Sequence, residues 1–463
     1  MKLNRIMIAA PKSGSGKTTI TCALLETLKN RGEQVVSYKC GPDYIDPMFH
    51  EQVIGIPSKN LDTFFTGEDV TKELFLKNRT AKDFVVMEGV MGLFDGLGGV
   101  REEGSSYHLA KVTETPIVLV IDAKGMGRSV IPMIAGFLAY DKEQLIQGVI
   151  LNKMSKAYYE IIKPLIEDEL GIKVLGYFPE QKEFCIESRH LGLVMPSELN
   201  DIQNRLQVVS EELEKTLDVA AIKHIAEQAR ELMVTHKEMR VERCIETNGS
   251  NRPVIAVAKD EAFCFYYEDN LLMLQKMGAD ILYFSPLHDT KLPDNCDALL
   301  IGGGYPELYV NDLSENVNMR NSIKQAFEMN MPIVAECGGF MYLHDAIIDK
   351  DGIDRVMVGV VPARCESKGK LVRFGYIEIK EKQNHFLPEG EIIKGHEFHY
   401  YDSTDNGENC TATKPTTGKE YPCVITGESC WLGFPHLYYP SNPLFAENFV
   451  KKAVEYKKRK EPV

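Results

Sequence analysis

Residues 10–19 read Ala10-Pro11-Lys12-Ser13-Gly14-Ser15-Gly16-Lys17-Thr18-Thr19. A strand at residues 5–9 leads into them, and Ile20, Ala23, Leu24 and Leu28 follow at helical spacing. Strand, glycine-rich turn and helix together make a cradle for a phosphate chain. Glycines let successive backbone N–H groups turn inward, the lysine reaches the β- and γ-phosphates, and the next hydroxyl takes magnesium. The helix N-terminus adds its dipole. This P-loop predicts ATP as ligand, with Gly14 and Gly16 shaping the turn. Lys12, Lys17, Thr18 and Thr19 contact the nucleotide, and Thr18 takes Mg2+. Pro11 stands where the commonest form of the loop has its first glycine; Lys12, five places before Lys17, matches the deviant form instead.

The same alternation continues along the first half. Runs at residues 34–38, 84–87, 117–121 and 148–151 are β-branched and lack polar alternation, as strands of a parallel sheet buried on both faces do. Ile202, Leu206, Val209, Leu213 and Leu217 form a stripe within the charged helical stretch 201–239. Thr247-Asn248-Gly249-Ser250-Asn251 reads as a linker. A second series of strands follows at 254–258, 281–284, 298–301 and 333–336. The expected organisation is two α/β domains, 1–245 and 246–463.

Composition narrows the classes. A chain of 463 residues favours two or three domains. With Lys plus Arg at 53 and Asp plus Glu at 67, the formal net charge of −14 argues against a general nucleic-acid binder. No apolar run reaches the ~18–20 residues that cross a bilayer, and the N-terminal apolar run is too short for a signal-peptide core. The cysteines number eleven, without a CxxC pair or zinc-ligand spacing. They read as reduced thiols of a cytoplasmic protein.

Two further places carry chemistry. Phe84-Val85-Val86-Met87-Glu88 is an apolar strand ending in a carboxylate, and an acid there organises magnesium beside a P-loop. Residues 39–47, Lys39-Cys40-Gly41-Pro42-Asp43-Tyr44-Ile45-Asp46-Pro47, follow another strand, at the edge where open parallel sheets bind ligands. From the residues alone this segment is either a rigid turn or a substrate loop. In the second half, Ile333-Val334-Ala335-Glu336-Cys337-Gly338-Gly339-Phe340 reads strand, tight turn, helix. That is the turn which presents a nucleophile, here Cys337, and the glycines admit substrate closely. The Gly338 N–H faces a developing oxyanion, with Gly303 in the loop 302–307 as the second donor. The helix start is expected to lower the thiol pKa. A cysteine nucleophile needs a base, and His396, His399 and His436 are the candidates.

The ordered set of these motifs carries a resemblance. Gly-Lys-Thr-Thr is followed by Gly-Pro-Asp-Tyr-Ile-Asp-Pro at 41–47 and Glu-Gly-Val-Met-Gly-Leu-Phe-Asp-Gly at 88–96. Then come Phe-Ser-Pro-Leu-His-Asp at 284–289, Gly-Gly-Gly-Tyr-Pro-Glu at 302–307, Glu-Cys-Gly-Gly at 336–339, Gly-His-Glu-Phe-His at 395–399 and His436-Leu437. Over nearly its whole length the chain resembles the cobyrinate a,c-diamide synthases of the cobalamin pathway. The resemblance implies a dethiobiotin-synthetase-like ATPase domain joined to a class I glutamine amidotransferase domain. The implied ligase uses ATP and L-glutamine to amidate cobyrinate, a tetrapyrrole polycarboxylate. By the same resemblance Cys337 is the glutaminase nucleophile and His436 its base. Asp43, Tyr44 and Ile45 lie on the substrate-positioning loop, Glu88 and Asp95 on acidic positions tied to magnesium and substrate, and Asn152 contacts adenine. One place departs from the pattern: typical glutaminases carry a glutamate two residues after the histidine, and here that residue is Tyr438. A homodimer is expected by P-loop analogy. The same chemistry on nickel-sirohydrochlorin is the nearest alternative; a nucleotide-switched partition ATPase is a different class, which leaves the second domain without a role.

Overall fold

The computed structural model describes residues 2–180, 201–233 and 252–460, with the backbone of 188–189 and 192–193. The chain forms two compact units, Met1–Lys237 and Glu238–Val463. The boundary expected near 245 and the linker at 247–251 lie outside the described residues.

In the first unit seven strands build one sheet: β1 (Asn4–Ala9), β2 (Gln34–Cys40), β3 (Ser58–Leu61), β4 (Asp83–Glu88), β5 (Ile117–Asp122), β6 (Ile146–Asn152) and β7 (Val174–Phe178). Their order is β3-β2-β4-β1-β5-β6-β7, and every pairing is parallel. The strands expected from unbroken apolar runs occupy the interior, where both faces are covered. The edges lie beyond the expected strands: β3 reads Ser-Lys-Asn-Leu and has no such run, and β7 reads Val-Leu-Gly-Tyr-Phe, a short apolar run broken by glycine. Helix α1 (Lys17–Asn30) packs on the sheet, and Ile20, Leu24 and Leu28 share its core with Ile202, Leu206, Val209 and Leu213 of the predicted stripe. Register places Glu88 beside Ile8 on one side and Lys39 on the other. The P-loop after β1, residues 41–44 after β2 and residues 89–96 after β4 therefore gather at one end of the sheet.

The second unit has a six-stranded sheet: β8 (Val254–Ala258), β9 (Asp280–Phe284), β10 (Ala298–Ile301), β11 (Ile333–Glu336), and a later hairpin. An antiparallel sheet comes between in sequence, built from β12 (Arg373–Glu381), β13 (Ile392–His399), β14 (Cys410–Thr413) and β15 (Glu420–Cys423). The hairpin is β16 (Ile425–Gly427) and β17 (Cys430–Gly433), and β18 (His436–Leu437) follows it. The main sheet runs β9-β8-β10-β11-β17-β16, parallel except for the last pair. The other runs β15-β14-β12-β13-β18. Ile255, Leu300 and Val334 of the main sheet share a core with Ile377, Ile393 and Ala412 of the antiparallel one. That stacking brings β18, and with it His436, to the end of β11 where Cys337 stands. Among the described residues no helix is long and apolar enough to cross a membrane.

Candidate active sites

In the first unit the P-loop is already closed around its own polar groups. Gly14 and Gly16 take φ values of +75° and +93°, conformations that side chains rarely adopt. A Cβ on Gly16 would also fall 2.1 Å from Asn152 Nδ2. Asn152, expected at the adenine, sits at the end of β6 and donates from that nitrogen to the Ser15 carbonyl oxygen at 2.8 Å. Here it braces the loop. Lys17 Nζ donates to the carbonyl oxygens of Met91, at 2.6 Å, and Lys12, at 3.3 Å. Burial, then the neighbouring Lys39, pushes Lys17 down to about 8. The Lys12 side chain is exposed, and its carbonyl oxygen also accepts from Ser15 Oγ at 2.9 Å. Thr19 is half-buried on the first turn of α1.

Behind the loop lies a buried cluster. Thr18 Oγ1 donates to Glu88 Oε1 at 2.6 Å. Lys39 Nζ donates to that same oxygen at 3.0 Å, to the Gly89 carbonyl oxygen at 3.3 Å, and pairs with Asp46 Oδ2. His50 Nε2 stands 3.4 Å from Glu88 Oε2. Burial alone would raise Glu88, but Lys39, His50 and the Thr18 hydroxyl outweigh it and hold the carboxyl well below its usual range. Burial works against the Lys39 charge, yet Asp46 and Glu88 lift it well above an ordinary lysine. Asp46 is pushed up by burial and by the nearby Asp43 and Glu88. Lys39, Asp46 and His50 were not among the expected site residues. Deleting one partner of a buried ion pair leaves an uncompensated charge, at a cost of ~3–5 kcal/mol. Lys39→Met is therefore expected to destabilise the first unit by ~3–5 kcal/mol, read as a lowered denaturation midpoint; an unchanged midpoint would contradict the cluster's structural weight.

The donor set fits magnesium. Thr18 and Glu88 offer hard oxygens 2.6 Å apart, and Glu88 Oε2 is buried without a hydrogen bond. Among the described residues no group of three or more His, Cys, Asp or Glu forms a metal cage. Magnesium needs none, because it takes one or two carboxylates and completes its shell with phosphate oxygens and water.

The expected substrate residues separate into two kinds. Asp43 Oδ1 accepts from the N–H groups of Ile45 and Asp46 at 2.9 and 3.2 Å, so it caps the short helix Ile45–Phe49. Its other oxygen faces Lys39 at 3.9 Å. Tyr44 and Ile45 are buried, and Asn60 Nδ2 pins their loop through the carbonyl oxygens of Gly41 and Asp43, at 2.9 and 2.6 Å. Asp95 is half-buried, and its Oδ2 accepts from the Gly92 N–H at 3.0 Å. Leu93 N–H reaches the Ala10 carbonyl oxygen at 2.8 Å, tying this loop to the P-loop.

In the second unit Cys337 has φ +49° and ψ −104°, a strained conformation for a residue with a side chain. Its N–H is held by the Gly433 carbonyl oxygen at 2.8 Å, and the helix Gly338–Tyr342 starts directly after it. The glycines are sterically required. A Cβ on Gly339 would meet the Ile301 carbonyl oxygen at 2.0 Å; one on Gly338 would meet Pro306 Cδ at 2.8 Å and Gly304 N at 3.2 Å. A Cβ on Gly303 would lie 2.3 Å from His436 Cε1. The main chain of 303–304 thus joins the Cys337 turn to the His436 ring. The expected lowering of the thiol pKa does not occur. Burial, then the Glu307 carboxylate, pushes Cys337 up, and a five-residue helix offers little dipole against that. His436 moves the other way, down to about 3, through burial and then His399. At rest the pair is a neutral thiol and a neutral imidazole. Tyr438, in the place of the usual glutamate, donates its hydroxyl to Asp269 Oδ2 at 3.1 Å. His399 is tied by Nδ1 to the Tyr401 carbonyl oxygen at 2.6 Å and stacks on Phe434, with ring centroids 4.1 Å apart.

Comparison with known proteins matches both units. Residues 6–193 fit the CobQ/CobB/MinD/ParA nucleotide binding domain, and residues 254–431 the CobB/CobQ-like glutamine amidotransferase domain. A cobyrinate a,c-diamide synthase of Caldanaerobacter subterraneus subsp. tengcongensis is 40% identical, over 93% of this chain and 94% of that one. One of Thermoplasma volcanium is 38% identical over the full length of both. One of Clostridium acetobutylicum is 39% identical over 97% of this chain and 100% of its own. The chain belongs to the cobyrinate a,c-diamide synthase family. It is accordingly a ligase of the glutamine amidotransferase type, with a nucleotide-binding domain in its first half.

Membership of the cobyrinate a,c-diamide synthase family makes Gly303 a useful probe of the second site. A methyl group there must displace the His436 ring, and a misplacement of about 1 Å in a catalytic group costs ~100-fold. Gly303→Ala is expected to lower the rate of glutamine hydrolysis by ~100-fold. Steady-state ammonia release checks this, and an undiminished rate would show that His436 is not needed where it stands.

Proposed function

We propose that the chain amidates the a and c acetate carboxylates of cobyrinate with ammonia taken from glutamine, through acyl phosphates made from ATP. One observation carries the reading. A chain whose relatives share that name over its whole length joins a Lys17, Thr18 and Glu88 phosphate site with a Cys337 and His436 turn.

Cys337 Sγ attacks the glutamine side-chain amide carbon. Because the thiol is raised and the imidazole lowered, its proton passes to His436 as the bond forms. The N–H groups of Gly338 and Gly303 hold the oxyanion. His436 returns the proton to the departing ammonia, and water then hydrolyses the thioester. In the first unit a corrin acetate oxygen attacks the γ-phosphorus of ATP and ADP leaves. Lys17 moves from the Met91 carbonyl onto the phosphates, and Lys39 keeps Glu88 and Asp46 from repelling the incoming carboxylate. Thr18 and Glu88 would hold Mg2+, which neutralises phosphate charge when bound. Ammonia displaces phosphate from the acyl carbon to give the amide. Mass spectrometry of the product from cobyrinate, ATP and glutamine tests the reading. Two successive acid-to-amide mass decrements are expected, and no decrement rejects it. Nickel-sirohydrochlorin offered in parallel identifies the macrocycle.

A further inference from the structure

A histidine that shuttles protons for a cysteine needs something to fix its ring. The place two residues beyond His436 is Tyr438, whose hydroxyl is turned to Asp269. Two contacts bear directly on where the His436 ring lies. A Cβ on Gly303 would be 2.3 Å from Cε1, with Nδ1 and Nε2 almost equidistant at 3.2 and 3.3 Å. Those distances put Gly303 in line with the Cε1–H edge. The face of the ring is covered by His396, with centroids 4.9 Å apart and planes 16° from parallel. The two histidines are register partners on the neighbouring antiparallel strands β13 and β18.

His396 is itself anchored. It is buried, and its Nδ1 lies 3.1 Å from the Tyr267 hydroxyl. The Tyr267 ring stands perpendicular to that of Tyr438, at 5.1 Å and 89°. Asn270 grips the main chain on both sides of Tyr438, donating to the Leu437 carbonyl oxygen and accepting from the Tyr439 N–H, each at 2.8 Å.

We propose that His396 is a positioning residue for His436: its ring, locked by Tyr267, orients the base by stacking on its face. A stacked neutral ring orients without adding charge; burial and His399 outweigh the Glu397 carboxylate, and His436 stays neutral until the thiol gives up its proton. Burial, reinforced by His436, holds His396 well below an ordinary histidine, which keeps that ring uncharged.

The inference rests on His436 being the base, and the experiment separates the two. Glutamine hydrolysis by the full chain is measured for His396→Ala, His396→Phe and His436→Ala. The expected result is a ~100-fold fall in kcat for His396→Ala with KM nearly unchanged, and recovery to within about 10-fold of the parent for His396→Phe, which restores the stack. Retained hydrolysis in His436→Ala overturns the base assignment and the inference with it. An inactive His436→Ala overturns the inference alone if His396→Ala turns over normally, if its loss lies in KM, or if phenylalanine does not rescue. Ammonia-dependent amidation by the same preparations reports folding. Should His396→Ala not fold, Tyr267→Phe replaces it: a fall in kcat supports the inference, and parent kcat overturns it.

Discussion

Replacing Cys337 with alanine is expected to abolish glutamine-dependent amidation and to leave ammonia-dependent amidation in place. Removing the nucleophile of a covalent mechanism typically costs ~10⁴–10⁶ in kcat. The turn should survive the change. Its shape comes from the Cys337 N–H on Gly433, from Gly339 against the Ile301 carbonyl oxygen and from Gly338 against Pro306, none of which involves sulfur. The φ of +49° is shared by alanine at no new steric cost. On the proposed mechanism added ammonia bypasses the second site, because an acyl phosphate at the first would accept it directly. The discriminating measurement is amide product with glutamine and with an ammonium salt, on one preparation. Loss of both activities in a folded chain would mean that the cysteine is structural and that the glutaminase reading fails.

The structure also shows which parts of this fold were readable in one dimension. Residues 6–9, 84–87 and 117–121 lie in interior strands with both faces covered, so an unbroken apolar run marks them. Ser58–Leu61 is an edge strand whose polar Ser-Lys-Asn gives no apolar run, while the other edge, Val174–Phe178, is short and interrupted by Gly176. The strands Arg373–Glu381 and Ile392–His399 are covered mainly on one face, and their burial alternates too loosely to stand out.

The sites divide along the same lines. The turns that carry Lys17, Thr18, Cys337 and Gly338 are legible because strand, glycine and helix adjoin in sequence. Lys39 and Glu88 lie 49 residues apart in sequence and meet only through the register of β2 and β4. His396 and His436 meet only across β13 and β18. Asp43 looked like a substrate ligand, and one of its oxygens is a helix cap, a role that depends on where the following N–H groups point. The rise of the thiol pKa is hidden from the sequence, where the helix start is visible and the burial of Cys337 beside Glu307 is not.

Lys17→Ala is expected to reduce amidation with either nitrogen source by ~10³-fold or more, since charge on the transferring phosphoryl group loses its preorganised cation. This separates the sites, because Cys337→Ala affects only one nitrogen source. The resting state of Lys17 adds a second readout. Its ammonium is buried and lowered to about 8, with Nζ on the Met91 carbonyl oxygen. An ordinary lysine titrates near ~10.4, and adjacent negative charge raises a lysine pKa. Nucleotide phosphates must therefore lift Lys17 back toward that range. The sign follows directly. At about pH 7 the amine is mostly protonated both before and after binding, so it takes up little. At about pH 9 it is mostly neutral when free and protonated when bound, so binding takes up close to one proton. Calorimetry in buffers of different ionisation enthalpy measures that uptake, and Lys17→Met should remove it. Equal uptake at both pH values, or uptake that persists in Lys17→Met, would show that this lysine does not meet the phosphates.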